Sequence, residues 1–367
     1  MTMPPEKLNP ASPSPELSAP QWLEALVQQA ERAGASDLHL QMLGSKAQVF
    51  FRLDGVMTPG PVIGEGVAER LFGRIKFLAR LKTYQETLPQ DGRIDRADLG
   101  AKSDLRVSTY PTVTGEKIVL RLFQQTPPRA PADLALPESA EAELDRFLRL
   151  SAGLLLLTGP AGSGKTTTIH ACLAALVAQG GRHIITVEDP VEQILPGVMQ
   201  TEVNEPRGLT FAVAARHLLR QDPQVLVIGE IRDEETAGIA VRAALTGHLM
   251  ISTLHAGSCA GVWERLSGLC PDAAAALSAL ELILNQRLLR RVCGACAGSG
   301  CAGCLATGYK GRAAVAEWFR VDDPVRRQIR ERGAAAIQPA VCLEAAAQPL
   351  LHSGITNIRE LERIFAR

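Results

Sequence analysis

The first part of the chain combines one helical pattern with several strand-like patterns. Apolar residues recur at helical spacing at Leu23, Leu26, Val27 and Ala30, and Gly34 is placed to end that helix. Apolar and polar residues then alternate in DLHLQM, KAQVFFRLDG, DLRVSTY and EKIVLRLF. Such alternation predicts strands with one buried face. The first region is therefore predicted to be a mixed α/β domain.

A different pattern begins after residue 140. Short, wholly apolar runs, namely GLLLLTG, HIITVED, QVLVIGE and LMISTLH, alternate with stretches of helical periodicity. Strands that are apolar on both faces are typical of a parallel sheet covered by helices on both sides. We expect a second α/β domain here, with an Ala-rich helical region toward its C-terminal end.

Proline and cysteine content suggests where the domains begin and end. Residues 1–20 contain six prolines and are predicted to form a disordered tail, followed by an N-terminal domain over 21–123. Residues 124–139 contain four prolines and are predicted to be a linker. The second domain is expected over 140–367 and includes a four-cysteine knuckle at 293–304.

The charge balance limits the possible partners. The chain has 39 basic and 39 acidic residues, so no global field favours nucleic acid or a membrane surface.

Without a signal-peptide pattern or an apolar run of about 20 residues, we expect a cytosolic protein. Thiols stay reduced in the cytosol, so the cluster CGACAGSGCAGC favours a metal site over disulfides. The remaining cysteines are expected to be small core residues: Cys172, Cys259, Cys270 and Cys342.

A phosphate-binding loop follows the first apolar run of the second domain. The pattern G-x-x-x-x-G-K-T runs from Gly159 to Thr166, between a predicted strand and a predicted helix. Backbone N–H groups of such a loop cradle a polyphosphate; Lys165 reaches the β and γ phosphates, and the Thr166 hydroxyl binds Mg²⁺. The residues expected to contact the nucleotide are Gly159, Pro160, Ala161, Gly162, Ser163, Gly164, Lys165, Thr166 and Thr167.

Polar side chains stand at the ends of three other predicted strands. Glu188 and Asp189 follow HIITV, and Glu230 follows QVLVIG. A nucleotide site that turns over needs carboxylates at such positions, to hold the Mg²⁺ shell or to orient water. His255 ends the run LMISTL and is a candidate to donate a hydrogen bond to the γ-phosphate. His248 is as readily explained as a helix-end or turn residue.

Four signatures stand in order along the second domain: GPAGSGKTT, ITVEDPVE, VLVIGEIRDEETA and TGHLMISTLHAG. They resemble the Walker A, aspartate-box, Walker B and histidine-box motifs of the ATPases of type II secretion, type IV pilus and competence systems. ASDLHL, FRLDG, QDGRI and DLRVSTYPTVTGEKIVLRL in the first domain resemble the same family. The resemblance covers about residues 20 to 320.

This resemblance implies a RecA-like P-loop ATPase domain and a hexameric ring, with ATP bound between the N-terminal and C-terminal domains. It implies that Glu188 acts as general base and that Glu230 orders water or Mg²⁺. Arg93, Arg106 and Arg121 match arginines of the family's nucleotide interface. The partner implied is an inner-membrane platform protein, which would place the chain at the cytoplasmic face of the inner membrane.

The cysteine cluster also has a counterpart in the family, whose secretion and extension members carry paired CxxC motifs before TGYxGR. Here CAGCLATGYKGRAAVAE runs from Cys301 to Glu317. Cys293, Cys296, Cys301 and Cys304 suit a structural Zn²⁺, and an iron–sulfur cluster is the alternative. The family usually has a longer connector than the AGSG found here, so the knuckle is expected to be minimal.

The sequence leaves several functions open. The leading hypothesis is a motor for pilus or pseudopilus assembly or for type II secretion, and a competence pseudopilus motor is the alternative. A nucleic-acid motor is less favoured, because the chain has neutral charge and only three tryptophans and three tyrosines for base stacking. No direct nucleic-acid contact is therefore expected. A nucleotide-binding scaffold without turnover is the third hypothesis.

Overall fold

The computed structural model describes residues 17–102, 104–122 and 130–366. The chain divides into two compact units, Met1–Thr126 with Arg290–Arg312 and Pro127–Leu289 with Ala313–Arg367. Of the predicted tail over 1–20, only residues 17–20 are described, and a helix already begins at Ala19. Of the predicted linker over 124–139, residues 130–139 are described, and a helix begins at Glu138. The cysteine segment groups with the N-terminal unit in this division, whereas the sequence pattern predicts it in the second domain.

The N-terminal unit is built on one antiparallel six-stranded sheet, in the order β3-β2-β1-β6-β5-β4. Its elements are α1 (Ala19–Ala33), β1 (Ala35–Leu43), β2 (Lys46–Leu53), β3 (Val56–Ile63), α2 (Val67–Leu78), β4 (Gln90–Ile94), β5 (Leu105–Thr112) and β6 (Gly115–Leu122).

Residue alternation gives this sheet one apolar face. In β5, Leu105 and Val107 are buried and Arg106 is exposed, because successive side chains of a strand point to opposite faces. The buried face packs with the apolar residues of α1 and α2. Gly34 ends α1 with φ +74°, as its position in the sequence predicts.

One buried ion pair crosses the N-terminal unit. Lys76 of α2 is only 1% exposed, and its Nζ lies 3.2 and 3.1 Å from the two carboxylate oxygens of Glu116. It also donates to the Gln85 carbonyl oxygen at 3.1 Å. Because a buried charge without partners is costly, these contacts keep α2, β6 and the segment around Gln85 in fixed relative positions.

The C-terminal unit contains a second sheet, in the order β13-β12-β7-β11-β10-β8-β9, in which the pairings from β12 to β9 are parallel. Its first elements are α3 (Glu138–Leu148), β7 (Gly153–Thr158), α4 (Lys165–Gln179), β8 (Ile184–Glu188), β9 (Met199–Glu202), α5 (Phe211–Leu218), β10 (Val225–Ile228), α6 (Glu234–Leu245) and β11 (Leu249–Thr253). They are followed by α7 (Cys259–Leu269), α8 (Ala273–Ala279), β12 (Leu280–Val292), β13 (Tyr309–Arg320), α9 (Asp323–Arg332), α10 (Leu343–His352) and α11 (Ile358–Phe365).

Both faces of this sheet are buried, as the apolar runs predict. Leu154 and Leu156 of β7 pack in one core with α5 to α8, and Leu155 and Leu157 pack in another with α3 and α4. The parallel arrangement places the carboxyl ends of β7, β11, β10 and β8 at one edge of the sheet. Ligands of open α/β folds bind at such an edge.

Three of the four scattered cysteines are buried as predicted, namely Cys172, Cys259 and Cys270. The prediction for Cys342 is wrong, because this residue is exposed. It occupies the N-cap position of α10, where the chain enters a helix from a surface segment. Five strands were not predicted from the sequence, namely β3, β4, β9, β12 and β13.

Candidate nucleotide-binding site

The phosphate-binding loop connects β7 to α4, as the sequence predicts. Gly159 has φ +138°, and a side chain there would place its Cβ 2.4 Å from the Gln286 carbonyl oxygen. Gly164 has φ +93°, and its Cβ would lie 2.7 Å from Gln286 Nε2. Glycine is thus required at both ends of the loop, by backbone conformation and by the close approach of β12.

Lys165 begins α4 and turns back over the loop. Its Nζ donates to the carbonyl oxygens of Gly159 at 2.8 Å and Pro160 at 3.0 Å. Burial lowers the pKa of Lys165, the charge of Glu230 opposes this, and the charge of Arg287 lowers it further. Thr166 and Thr167 follow in the first turn of α4, where backbone N–H groups have no partner within the helix.

Glu188 ends β8 and is 8% exposed. Its Oε1 accepts hydrogen bonds from Thr186 Oγ1 at 2.5 Å and Gln200 Nε2 at 2.9 Å. His170 Nε2 lies 3.7 Å from Oε2, which is longer than a hydrogen bond. Burial raises the pKa of Glu188, but His170, Gln200 and Thr186 together outweigh it and hold the pKa below its usual value. The residue is therefore a buried, ionised carboxylate.

Glu230 connects two of the signatures. Its Oε1 lies 3.1 Å from His255 Nε2, and its Oε2 accepts a hydrogen bond from Arg232 Nε at 2.8 Å. Arg232 Nη1 lies 3.5 Å from Asp189 Oδ2. The charge of Glu230 raises the pKa of Arg232 through this hydrogen bond. The ends of β8, β10 and β11 are thus connected through charged side chains.

His248 lies apart from this constellation. Its Nδ1 is 3.0 Å from the Ala243 carbonyl oxygen, near the end of α6. The contact agrees with the interpretation of His248 as a helix-end residue. His255, in contrast, follows the carboxyl end of β11 and has a side chain that is 49% exposed.

The three predicted arginines form a row across the N-terminal sheet. Arg93 of β4 stands opposite Arg106 of β5, and Arg106 stands opposite Arg121 of β6. The row continues to Asp37 of β1 and then to Arg52 of β2. Like charges placed directly opposite each other are destabilising, so the row is suited to bind an anion.

Acidic neighbours neutralise the row only in part. Asp37 lies 2.9 Å from Arg121 Nε and 3.3 Å from Arg52 Nε, and its own side chain is 5% exposed. Asp104 pairs with Arg93, and Arg106 Nη2 lies 3.9 Å from Asp91. The side chains of Arg93, Arg106 and Arg121 remain 66%, 47% and 60% exposed. Their role at a nucleotide stays a prediction.

The four cysteines converge as a metal site requires. All four Sγ atoms of Cys293, Cys296, Cys301 and Cys304 lie within 4.8 Å of one another. Cys293–Cys301, Cys296–Cys304 and Cys301–Cys304 are separated by 4.0, 3.9 and 3.7 Å. Tetrahedral Zn²⁺ with bonds of about 2.3 Å to sulfur separates its ligands by about 3.8 Å, so the residues fit a closed thiolate site.

Backbone N–H groups donate to two sulfurs of this cluster, those of Cys296 and Cys304. Gly300 donates to Cys296 Sγ at 3.3 Å, and Cys301 and Gly308 donate to Cys304 Sγ at 3.2 and 3.3 Å. Burial raises the pKa of Cys304, but the hydrogen bonds lower it to about 7. Because the four sulfurs converge, the AGSG connector is long enough to bring both cysteine pairs together.

Several contacting residues were not predicted from the sequence. Thr186, Gln200 and His170 surround Glu188, and Arg232 connects Glu230 to Asp189. Gln200 reaches Glu188 because β9 pairs with β8, a pairing that has no local sequence signal. Arg232 was detectable, since it lies two residues after Glu230 in the signature VLVIGEIRDEETA.

The loop between a buried parallel strand and a helix, with carboxylates and a histidine at neighbouring strand ends, defines a P-loop nucleotide-binding protein. The chain belongs to the type II/IV secretion system protein family, whose model matches residues 16–363. Among its relatives, the type II secretion system protein HxcR of Pseudomonas aeruginosa is 39% identical, over 93% of this chain and 76% of the relative. The type IV pilus assembly ATPase PilB of Thermus thermophilus is 35% identical, over 97% of this chain and 44% of the relative.

Solved structures support the fold. The ATPase DotB of Legionella pneumophila superposes with a TM-score of 0.76 at 22% identity, covering 98% of this chain and 99% of that chain. The family match and the named relatives confirm the predicted family and the secretion-system ATPase. The two mixed α/β units, each with its own sheet, confirm the predicted fold class. Among the described residues, no helix is both long enough and apolar enough to span a bilayer.

Proposed function

We propose that the chain is a hexameric ATPase motor that powers assembly of a pilus or pseudopilus, or type II secretion. The observation that supports this proposal most strongly is the placement of Lys165, Glu188, Glu230 and His255. All four lie in the C-terminal unit. Lys165 begins the helix after β7, Glu188 ends β8, and Glu230 and His255 follow the carboxyl ends of β10 and β11. A scaffold that only binds nucleotide does not need buried, ionised Glu188 at that edge.

Lys165 and the loop backbone bind the polyphosphate in this proposal. The Lys165 ammonium now donates to two neutral carbonyl oxygens, and a phosphate oxygen is a stronger acceptor because it carries charge. Thr166 and Glu230 would hold Mg²⁺, which neutralises charge on the β and γ phosphates when it is bound. The hydroxyl and carboxylate oxygens of these residues are the ligands that Mg²⁺ prefers.

Glu188 is the proposed general base. Its lowered pKa keeps it ionised at neutral pH, ready to accept a hydrogen bond from the attacking water. Such a carboxylate is a weak base, so its main effect is to orient the water and to take the proton as the phosphoryl group departs. Phosphoryl transfer depends mostly on positioning and charge stabilisation, which suits this role.

His255 and the arginine row would respond to the γ-phosphate. His255 already contacts Glu230, so a hydrogen bond from His255 to phosphate would change the surroundings of that carboxylate. Arg93, Arg106 and Arg121 carry exposed positive charge that stabilises the transferring phosphate in the assembled ring. An arginine in that role is worth roughly 10³ to 10⁵ in rate.

The machine driven by the motor is proposed from the relatives. HxcR is named as a type II secretion protein and PilB as a type IV pilus assembly ATPase, and both align over more than nine tenths of this chain. We infer an inner-membrane platform protein as partner and a peripheral position at the cytoplasmic face of that membrane. A structural Zn²⁺ held by the four cysteines completes the proposal, and a competence pseudopilus is the alternative machine.

The mass of the purified chain and its ATP turnover test this proposal together. We expect light scattering to show a hexamer with a nonhydrolysable ATP analogue and Mg²⁺, and we expect Mg²⁺-dependent ATP hydrolysis by the same sample. A chain that binds ATP tightly, remains monomeric and never turns over, even with membranes that contain a secretion platform, would contradict the motor and support the scaffold.

A further inference from the structure

Strand β12 forms one wall of the phosphate-binding loop. Gln286 approaches both Gly159 and Gly164, and its Oε1 accepts a hydrogen bond from Thr168 Oγ1 at 2.8 Å. The next residue, Arg287, is half-buried and directs its guanidinium to the same loop, because a Cβ on Gly159 would lie 3.2 Å from Arg287 Nη1. The first residue of the loop therefore lies next to a fixed cation.

Arg287 also contacts the last residue of the histidine box. Its Nη2 donates to the Gly257 carbonyl oxygen at 3.3 Å, two residues beyond His255. Its Nη1 donates to Asn285 Oδ1 at 2.7 Å and to the Gln286 carbonyl oxygen at 3.0 Å. The guanidinium thus lies between the start of the phosphate loop and the end of the histidine box.

A buried carboxylate fixes Arg287 through Asn285. Asn285 Nδ2 donates to Glu317 Oε1 at 2.8 Å and to the Gly257 carbonyl oxygen at 3.1 Å. Glu317, on β13, is 7% exposed and also accepts from the Cys259 backbone N–H at 3.2 Å. These contacts orient the Asn285 amide, whose oxygen accepts the hydrogen bond from Arg287 Nη1. The position of the guanidinium is therefore determined by buried neighbours.

The oxygens that accept from Arg287 are all neutral. Within the described part of the chain, no carboxylate lies within ion-pair distance of its guanidinium. Burial lowers the pKa of Arg287, and the charges of Glu317 and Glu344 oppose this; the charge of Arg287 in turn lowers the pKa of Lys165. Two partly buried cations thus lie at one loop, and a bound polyphosphate would relieve their repulsion.

We propose that Arg287 is a positioning residue of the ATP site, which adds positive charge beside Lys165 and connects the phosphate loop at Gly159 to the histidine box at Gly257. This inference rests on the proposed ATPase function. It predicts two separable effects, since charge acts on nucleotide affinity and the forked geometry acts on the alignment needed for turnover.

Nucleotide affinity and turnover of the full chain test the inference with three variants. Arg287→Gln removes both the charge and the forked guanidinium, and Arg287→Lys keeps the charge but loses the guanidinium. Arg265→Gln removes an exposed arginine of α7 and is the matched control. We expect Arg287→Gln to weaken ADP and ATP binding in calorimetry by about tenfold, with an effect that shrinks at high salt. We expect Arg287→Lys to bind nearly as the parent does but to have a kcat reduced at least severalfold. Arg265→Gln should change neither quantity.

The outcomes distinguish this inference from its alternatives. If Arg287→Lys has the kcat of the parent, or if a folded Arg287→Gln binds ADP as tightly as the parent, the inference is wrong. If Arg287→Gln does not fold, the Arg287→Lys result alone decides, because that variant keeps the charge and most of the side-chain volume. Failure of the parent chain to bind or hydrolyse ATP would instead contradict the proposed function.

Discussion

His255 Nε2 lies 3.1 Å from Glu230 Oε1, so the second histidine of the histidine box contacts the acid of the Walker B signature. The contact joins the ends of β11 and β10, which are adjacent parallel strands. The charge of Glu230 also raises the pKa of Lys165 across the same edge of the sheet, against the lowering by burial. A change at His255 is therefore expected to reach the Mg²⁺ and phosphate region through one carboxylate.

Replacement of His255 tests this contact. We expect His255→Ala to lower kcat by roughly 10- to 100-fold, the usual effect of removing a residue that orients a metal-binding group. The Kd for ATP should change less, because Lys165 and the loop backbone remain. His255→Gln keeps an N–H donor and should recover part of the rate.

Steady-state hydrolysis and equilibrium binding measure the two effects. The matched control is His352→Ala, which removes an exposed histidine of α10. Equal kcat values for His255→Ala and the parent would show that the contact with Glu230 has no part in turnover.

The pH dependence of kcat depends on the hydrogen bonds of Glu188. Its folded-state pKa is depressed, so the carboxylate stays ionised as pH falls to its ordinary value of about 4.3. The stability that it contributes is present above that value and is lost only as pH falls through the lower, folded-state pKa. Between pH 8 and pH 5 we therefore expect no loss of kcat from protonation of Glu188.

Thr186→Val removes one of the bonds that lower this pKa and leaves the volume of the side chain nearly unchanged. The pKa of Glu188 should rise, and kcat measured from pH 4 to pH 8 should fall off on the acid side at a higher pH than in the parent. Thr109→Val is the control, since the buried Thr109 hydroxyl has no hydrogen-bond partner in the part of the chain that the structure describes. A Thr186→Val profile that superposes on the parent profile would contradict the assignment.

Metal analysis tests the cysteine cluster. We expect about one Zn²⁺ per chain by elemental analysis and no visible absorption from an iron–sulfur cluster. Cys296→Ser should lose most of the metal and lower the unfolding temperature, because a closed thiolate site contributes folding energy. Cys342→Ser alters an exposed cysteine outside the cluster and should keep the metal content and the unfolding temperature of the parent. Full metal content in Cys296→Ser would exclude a four-cysteine site.

Much of the second sheet was predictable, because its strands are buried on both faces. Leu154 to Leu157 form an unbroken apolar run, and such runs are readable without knowledge of any partner strand. Glu188 and Glu230 were found for the same reason, as the first acids after runs of this kind. The loop from Gly159 to Thr166 has its own local pattern of glycine, lysine and threonine.

The remainder depends on strand pairing, which the sequence does not show locally. Arg93, Arg106 and Arg121 were identified singly, but their row and its extension to Arg52 follow from the register of five strands. Arg287 was missed because LELILNQRLLRRV mixes apolar and charged residues without a clear period of two, although it forms β12. Its closeness to Gly159 exists only because β12 pairs with β7.

ATP hydrolysis by Lys165→Ala and Glu188→Gln, beside the parent chain, tests the central claim most directly. Equilibrium binding of an ATP analogue is measured on the same samples, with Glu264→Gln, an exposed acid of α7, as the control. We expect Glu188→Gln to bind the analogue but to lose at least about 100-fold in kcat, and Lys165→Ala to lose both binding and turnover. Hydrolysis by Glu188→Gln at the parent rate would contradict its role as general base, and normal hydrolysis by Lys165→Ala would contradict the site itself.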